Sequence, residues 1–407
     1  MTRNRIITFI IASTLQSTPL YCQDLIKKDK YLSKGLAIHY DGNKPIIEIE
    51  KANIQGVSHN YYESFNIGKE GALLKVGEHN FPTTVISEVT SNNESVLAGK
   101  LSVEGMPVNM IIANPNGITC TNCDFDNIAK LTLITGFTSR EKPIDFMINF
   151  ILTDQSKITV KTKNNMMYND VSIISNNILF KGNGTIYANK MKIISDELIY
   201  SLYNKNNRTV AKGRYHGATS IEKNITLNIN NFSVTSNKSD FINRGVINTG
   251  YFTLTSNAKL KNFNEINIKG SRILPFLTLL DIKEKYEVNI NSGSSIKSTI
   301  FSNNKGSRFT VYKTNLNIDL SNGDLINKGY QRFEYSNVDF KSGNYIQHED
   351  ANLVNILSSV SLSVNDNIDI NGNIYAINND YNDRINIKKG NKINIHNVNR
   401  DKVIIKK

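Results

Sequence analysis

From Tyr31 onward the chain reads as short runs in which every second residue is apolar, set between clusters of Asn, Gly, Ser and Lys. Ile158-Thr-Val160, Ile225-Thr-Leu-Asn-Ile229, Phe252-Thr-Leu254, Ile266-Asn-Ile268, Ile368-Asp-Ile370, Ile385-Asn-Ile387 and Ile393-Asn-Ile395 are of this kind. A period of two places those side chains on one face of a strand and leaves the other face wet. The clusters between them are turn formers. The spacing itself recurs: Phe241, Asn243, Ile247 and Asn248 return 19 residues later as Leu260, Asn262, Ile266 and Asn267. A longer echo carries Asp240-Phe-Ile-Asn-Arg-Gly245 to Asp324-Leu-Ile-Asn-Lys-Gly329, 84 residues on, which predicts about four coils of roughly 20 residues.

The fold this pattern predicts is all-β: a right-handed parallel β-helix, or β-solenoid, with extra-helical hairpins or loops. Each coil sends Ile, Leu, Val and Phe inward and uses Gly and Asn at corners that need positive φ. An antiparallel β-sandwich or barrel shares the short alternating strands and remains the alternative at this level. Two stretches break the alternation. Glu197 through Thr219 reads as an extra-helical hairpin or loop, and Ile273 to Glu287 as a short helix or amphipathic excursion. Both are candidates for partner contact or simple surface insertions.

A chain of 407 residues could hold two or three globular domains, but a repeat fold uses the same length as one rod. With 39% hydrophobic and 21% charged residues the composition is that of a folding chain. Forty-eight Lys and Arg against 36 Asp and Glu give a net charge of +12, which favours anionic partners such as acidic glycans, lipopolysaccharide or lipid head groups. The charge is dispersed, with no basic arm and no aromatic-flanked basic motif, so no nucleic-acid partner is expected. Residues 1–22 carry Arg3 and Arg5 before the apolar run Ile6–Ala12, the pattern of a secretory signal peptide, too short to span a bilayer. No transmembrane segment is expected after it; Ile273-Leu-Pro-Phe-Leu-Thr-Leu-Leu280 is the nearest approach.

The most distinctive run is Ile111-Ile-Ala-Asn-Pro-Asn-Gly-Ile-Thr-Cys-Thr-Asn-Cys123, followed by Leu131-Thr-Leu-Ile-Thr-Gly136. Pro115 presets φ, Gly117 accepts positive φ, and Asn114 and Asn116 can bond the local backbone, so a reversal between two strands is expected at Asn114–Gly117. This run resembles the two-partner-secretion domain of filamentous haemagglutinin and haemolysin-type exoproteins. The likeness includes Gly56-Val-Ser-His-Asn60, Tyr62, Phe65-Asn-Ile-Gly-Lys-Glu-Gly71, Ser87-Glu-Val-Thr90 and Leu97-Ala-Gly99, and continues through Asp170–Ile174 and Ile186–Ile194. It covers residues 38 to about 220 in order.

The resemblance implies export by Sec to the periplasm, then passage through an outer-membrane Omp85-type transporter with periplasmic POTRA modules, ending secreted or on the outer cell surface. Residues 23–220 would form the secretion domain and 221–407 a continuing repeat region. Asn114, Pro115, Asn116, Gly117 and Ile118 match one signature turn of the family. Gly77 and Asn80 are what matches of the second, with Glu78 and His79 standing where the family has Asn-Pro, and Asn66 falls in the Phe65–Gly71 element. The implied role is a surface adhesin, haemagglutinin or haemolysin-like factor; a polysaccharide lyase-like β-helix and an inactive remnant are the alternatives.

No catalytic site, cofactor or metal is expected. Cys120 and Cys123 sit two residues apart beside a turn in a chain bound for an oxidising compartment, so a disulfide is the expectation, with zinc, redox chemistry or free thiols as rivals. His39, His59, His79, His216, His348 and His396 are scattered singly, and His348-Glu349-Asp350 reads as a solvated corner. Asp366, Asp369 and Asp383 with Arg384 are the best acidic group a lyase reading can assemble, and their spacing predicts no shared face.

Overall fold

The computed structural model describes residues 25–76, 81–139, 148–195, 199–201, 217–271, 293–320, 322–377, 385–388, 392–395 and 403–406. The expected signal peptide, Gly77 and Asn80, the Ile273–Glu287 excursion, and Asp383 with Arg384 lie outside these residues.

The alternating runs form strands, and no helix occurs among the described residues. Three long sheets of five, twelve and twenty strands wrap one core, and successive coils pair in parallel. The architecture is a parallel β-helix, and the sandwich alternative falls away because sandwich neighbours pair antiparallel. Early coils have three short sides, as in Lys100–Glu104, Val108–Ala113 and Ile118–Thr121. Later coils join two sides into one long bent strand, as in Gly184–Ser195, Ile225–Ser236 and Val246–Ser256. At each bend the alternation slips by one residue; Ile229 and Asn230, and then Thr249 and Gly250, are consecutive buried positions. Gly250 is required there, since a Cβ would press on the Ser271 and Asn230 carbonyl oxygens.

Stacking follows residue type. One inward column runs Ile118, Ile158, Ile178, Thr219, Phe241, Leu260, Phe301, Leu325, Tyr345, Ile368. The column beside it begins Leu97, Cys120, Val160, Phe180, Ile221 and then turns polar: Asn243, Asn262, Asn303, Asn327 and Gln347. All five are fully buried. Nδ2 of Asn243 donates to Asn262 Oδ1 at 2.9 Å, Asn262 to Asn303 at 3.0 Å, and Asn303 to Asn327 at 3.1 Å. The same NH2 groups reach carbonyls of the following coil, Glu265 at 3.0 Å, Arg308 at 2.9 Å and Tyr330 at 3.2 Å. Satisfied amides can be buried where orphaned ones could not, so each rung needs the next coil in place.

The 19-residue spacing is the stacking register: Phe241 pairs with Leu260 and Ile247 with Ile266. The 84-residue echo spans three coils, from Phe241 through Leu260 and Phe301 to Leu325, rather than four. The middle step, Leu260 to Phe301, is about twice the usual length because residues 272–292 fall within it. Thr219, expected in an extra-helical stretch, belongs to the inward-facing strand Ala218–Ile221. Among the described residues, antiparallel pairing is confined to Ile26–Lys28 on Val57–Phe65, to Ala37–Asp41 with Lys44–Glu48, and to a small sheet of Gly136–Thr138, Asn149–Leu152 and Ile199–Ser201.

Candidate recognition surface

The signature turn occupies a corner in the early coils. Val108–Ala113 enters it in one sheet and Ile118–Thr121 leaves it in another. The two do not pair with each other, so the expected reversal is a corner instead. Both strands bury their alternate side chains in the same core, and the chain must keep circling that core rather than fold back. The local chemistry closes the turn: Asn114 Oδ1 accepts the Asn116 N–H at 2.9 Å, and Gly117 N–H donates to the Asn114 carbonyl at 3.2 Å. Gly117 adopts φ of 122°, which favours glycine.

The side chains tie the corner to the coil before it. Asn114, with no exposure, donates to the Asn93 carbonyl and to Ser95 Oγ, both at 2.9 Å. Asn116 Nδ2 donates to the Ser91 carbonyl at 2.7 Å. From the following coil Thr153 and Ser156 hydroxyls both donate to the Pro115 carbonyl. Ile118 is buried in the core column, and Asn66 receives the Val96 N–H at 2.8 Å on a neighbouring corner. Ile67 bridges Leu97, which pairs with Cys120, so Asn66 and Asn114–Ile118 lie along the same corner of successive early coils.

Cys120 and Cys123 point into the core. Their sulfurs meet with Cα atoms 5.3 Å apart, within disulfide range. Asn122 between them takes φ of 47°, and the buried Tyr168 hydroxyl lies 3.6 and 3.5 Å from the two sulfurs. Burial pushes that phenol well above its ordinary pKa, with the Asp124 charge adding to the effect, so Tyr168 stays neutral.

The resemblance motifs Gly56–Asn60 and Ser87–Thr90 meet across adjacent strands. His59 Nε2 donates to Glu88 Oε2 at 2.8 Å, while the ring stacks on Tyr61, centroids 4.2 Å apart. The other face of that carboxylate receives Thr138, through Oγ1 at 2.7 Å and through N–H at 3.1 Å. Thr138 belongs to the small antiparallel sheet, so Glu88 binds the sheet to the helix and covers one of its edge donors. Beneath it, outward-facing Ile86, Ile111, Ile134, Ile174 and Ile194 pack with Phe150, Leu152 and Tyr200 into a second core. The alternation breaks in the sequence at Glu197–Thr219 and Ile273–Glu287; Ile199–Ser201 falls in the first, whereas the part of the small sheet formed by Gly136–Thr138 and Asn149–Leu152 lies in neither. Its one sequence signal is Ile-Ile in Ile173-Ile174 and Ile193-Ile194, where the second isoleucine faces outward.

His348 and Asp350 lie on a corner where Asp350 pairs with Lys305 at 2.8 Å. Asp366 stands at a corner and Asp369 on the strand Asn367–Ile370. Among the described residues, no three His, Cys, Asp or Glu side chains group to hold a metal ion.

The family model of the TPS secretion domain matches residues 26–242, more than half of the chain. The chain belongs to this family. A 16S rRNA endonuclease CdiA of Enterobacter cloacae subsp. cloacae is 37% identical over 112 residues, 23% of this chain and 3% of that protein. The hemolysin of Proteus mirabilis is 33% identical over 114 residues, 24% of this chain and 7% of that protein. The chain thus spans a small fraction of the relatives it matches. A crystal structure of the filamentous hemagglutinin secretion domain is 16% identical, with 91% of this chain and 99% of that one covered and a TM-score of 0.43. The domain matched is a secretion domain, and a haemolysin is among the proteins that share it. No helix among the described residues is long and apolar enough to cross a membrane.

Proposed function

We propose that residues 1–22 direct Sec export and that residues 23–220 are then recognised by a dedicated Omp85-type transporter through its periplasmic POTRA modules. The chain crosses the outer membrane extended and folds outside, where residues 221–407 prolong the rod as part of a surface adhesin, haemagglutinin or haemolysin-like factor. A Cys120–Cys123 disulfide pins the turn after the signature corner, and its tiny loop lets it pass a pore in extended chain. The observation that carries this reading is the family match over 26–242 together with the corner Asn114–Ile118, whose polar groups are used up locally.

The test is co-expression with the cognate transporter in a bacterium lacking it. Release into the medium is expected, and Asn116→Ile, which removes the bonds to Ser91 and Asn114 Oδ1, abolishes it. Equal release without any transporter overturns the reading.

A further inference from the structure

One corner column of the later coils is built at a conformational cost that the coil before it avoids. Gly270, Lys313, Tyr335 and Leu357 occupy equivalent positions in four successive coils, two steps past the Ile268–Val311 pair and one step past the Tyr312–Glu334 and Glu334–Ile356 pairs. All four have left-handed φ, at 62°, 49°, 50° and 47°. Gly270 takes that conformation freely; Lys313 and Tyr335 do not. Non-glycine residues held there are an observation from which function is properly inferred.

Two of the three strained positions project a lysine and an aromatic ring side by side. Tyr335 is 49% exposed. Its ring lies 6.0 Å from that of Tyr312 at 87°, forming an open corner of two aromatic faces. The Lys313 ammonium sits over both, 5.0 Å from the Tyr312 centroid and 5.8 Å from that of Tyr335. Among the described residues no carboxylate lies within ion-pair distance of Lys313, and the adjacent Glu334 is engaged by Arg332 through two bonds of 2.7 and 3.0 Å. The cluster therefore offers an unneutralised cation between two ring faces, on a chain of net charge +12.

We propose that Tyr312, Lys313 and Tyr335 form a binding site for an acidic polysaccharide. The ammonium pairs with a carboxylate or sulfate on the polymer, and the exposed part of the Tyr335 side chain packs against the adjoining sugar. Coils repeat at roughly 4.8 Å, so a chain laid along the rod passes over Lys313 and Tyr335 in turn. This deepens the reading of the rod as a surface-binding exoprotein and names the ligand class. It concerns the folded chain alone, so its outcome is independent of whether the transporter reading holds.

The experiment uses the full purified chain and three immobilised polymers: polygalacturonate for carboxylates, dextran sulfate for sulfates, and neutral dextran. Binding to one or both acidic polymers and not to dextran is expected. Lys313→Gly and Tyr335→Gly are suited to the left-handed corner, so both keep the thermal midpoint while weakening binding at least fivefold. Lys341→Ala removes the same charge from a strand of another face and is expected to change binding less than twofold. Binding that falls equally with Lys341→Ala, that persists in both glycine variants, or that extends to neutral dextran overturns the site. The two acidic polymers decide which anion it takes, and binding to neither also overturns it.

Discussion

Glu88→Ala isolates the link between the helix and its small outer sheet. The substitution removes three hydrogen bonds at once, to His59 Nε2 and to the hydroxyl and N–H of Thr138, in a site where Glu88 is 4% exposed. Hydrogen bonds to a carboxylate are worth about 1.5–3 kcal/mol each, and breaking a buried pair by deleting one partner costs about 3–5 kcal/mol overall. The loss falls on the outer sheet, because the helix strands beneath are held by their own ladder and core. At about 1.4 kcal/mol per factor of ten, the opening equilibrium of that sheet rises by roughly two to three and a half orders of magnitude. Hydrogen exchange reads this directly: amides of Asn149–Leu152 lose protection by that factor, while those of Ile225–Ser236 keep theirs. Opening also uncovers Ile86, Ile111, Ile134, Ile174 and Ile194, so binding of an apolar dye increases. Protection within threefold of wild type, or equal loss in both segments, would refute Glu88 as the fastening.

Asn262→Leu keeps the volume of one inward rung but deletes the donors to Asn303 and to the Arg308 carbonyl and the acceptor for Asn243. A loss of about 2–4 kcal/mol is expected, seen as faster exchange in Lys259–Asn262 and Ile300–Asn303; unchanged exchange there would count against the ladder. Asp170 has a carboxyl pKa raised by burial, which outweighs Lys190 and Lys130 beside it. The folded state therefore holds its proton to higher pH than the unfolded state, so stability from this group is undiminished in acid and falls as pH rises through the folded pKa. Asp170→Asn should gain thermal midpoint relative to wild type between about pH 3 and pH 7, and a relative loss over that range would contradict the sign.

The alternation of Ile, Leu and Phe with polar residues, the Asn and Gly corners, and the 19-residue return of Phe241 at Leu260 determined the strands and their stacking, because a period of two is a local property. The segments Gly56–Asn60, Ser87–Thr90 and Asn114–Ile118 likewise marked the family without coordinates. What the chain alone left undecided depends on which distant segment lies against each strand. Asn as a class reads as a corner former, yet Asn243, Asn262 and Asn303 point inward, where each amide is satisfied by the amide stacked on it in the next coil. Asn114–Gly117 read as a reversal, and the shared core on both sides made it a corner. His59, Glu88 and Thr138 are separated by 29 and 50 residues, and only the stacking of coils and the pairing of Gly136–Thr138 with Asn149–Leu152 brought them together. Local pattern sets what a strand can bury; the variable length between coils sets its neighbours, and that length has no periodic signature.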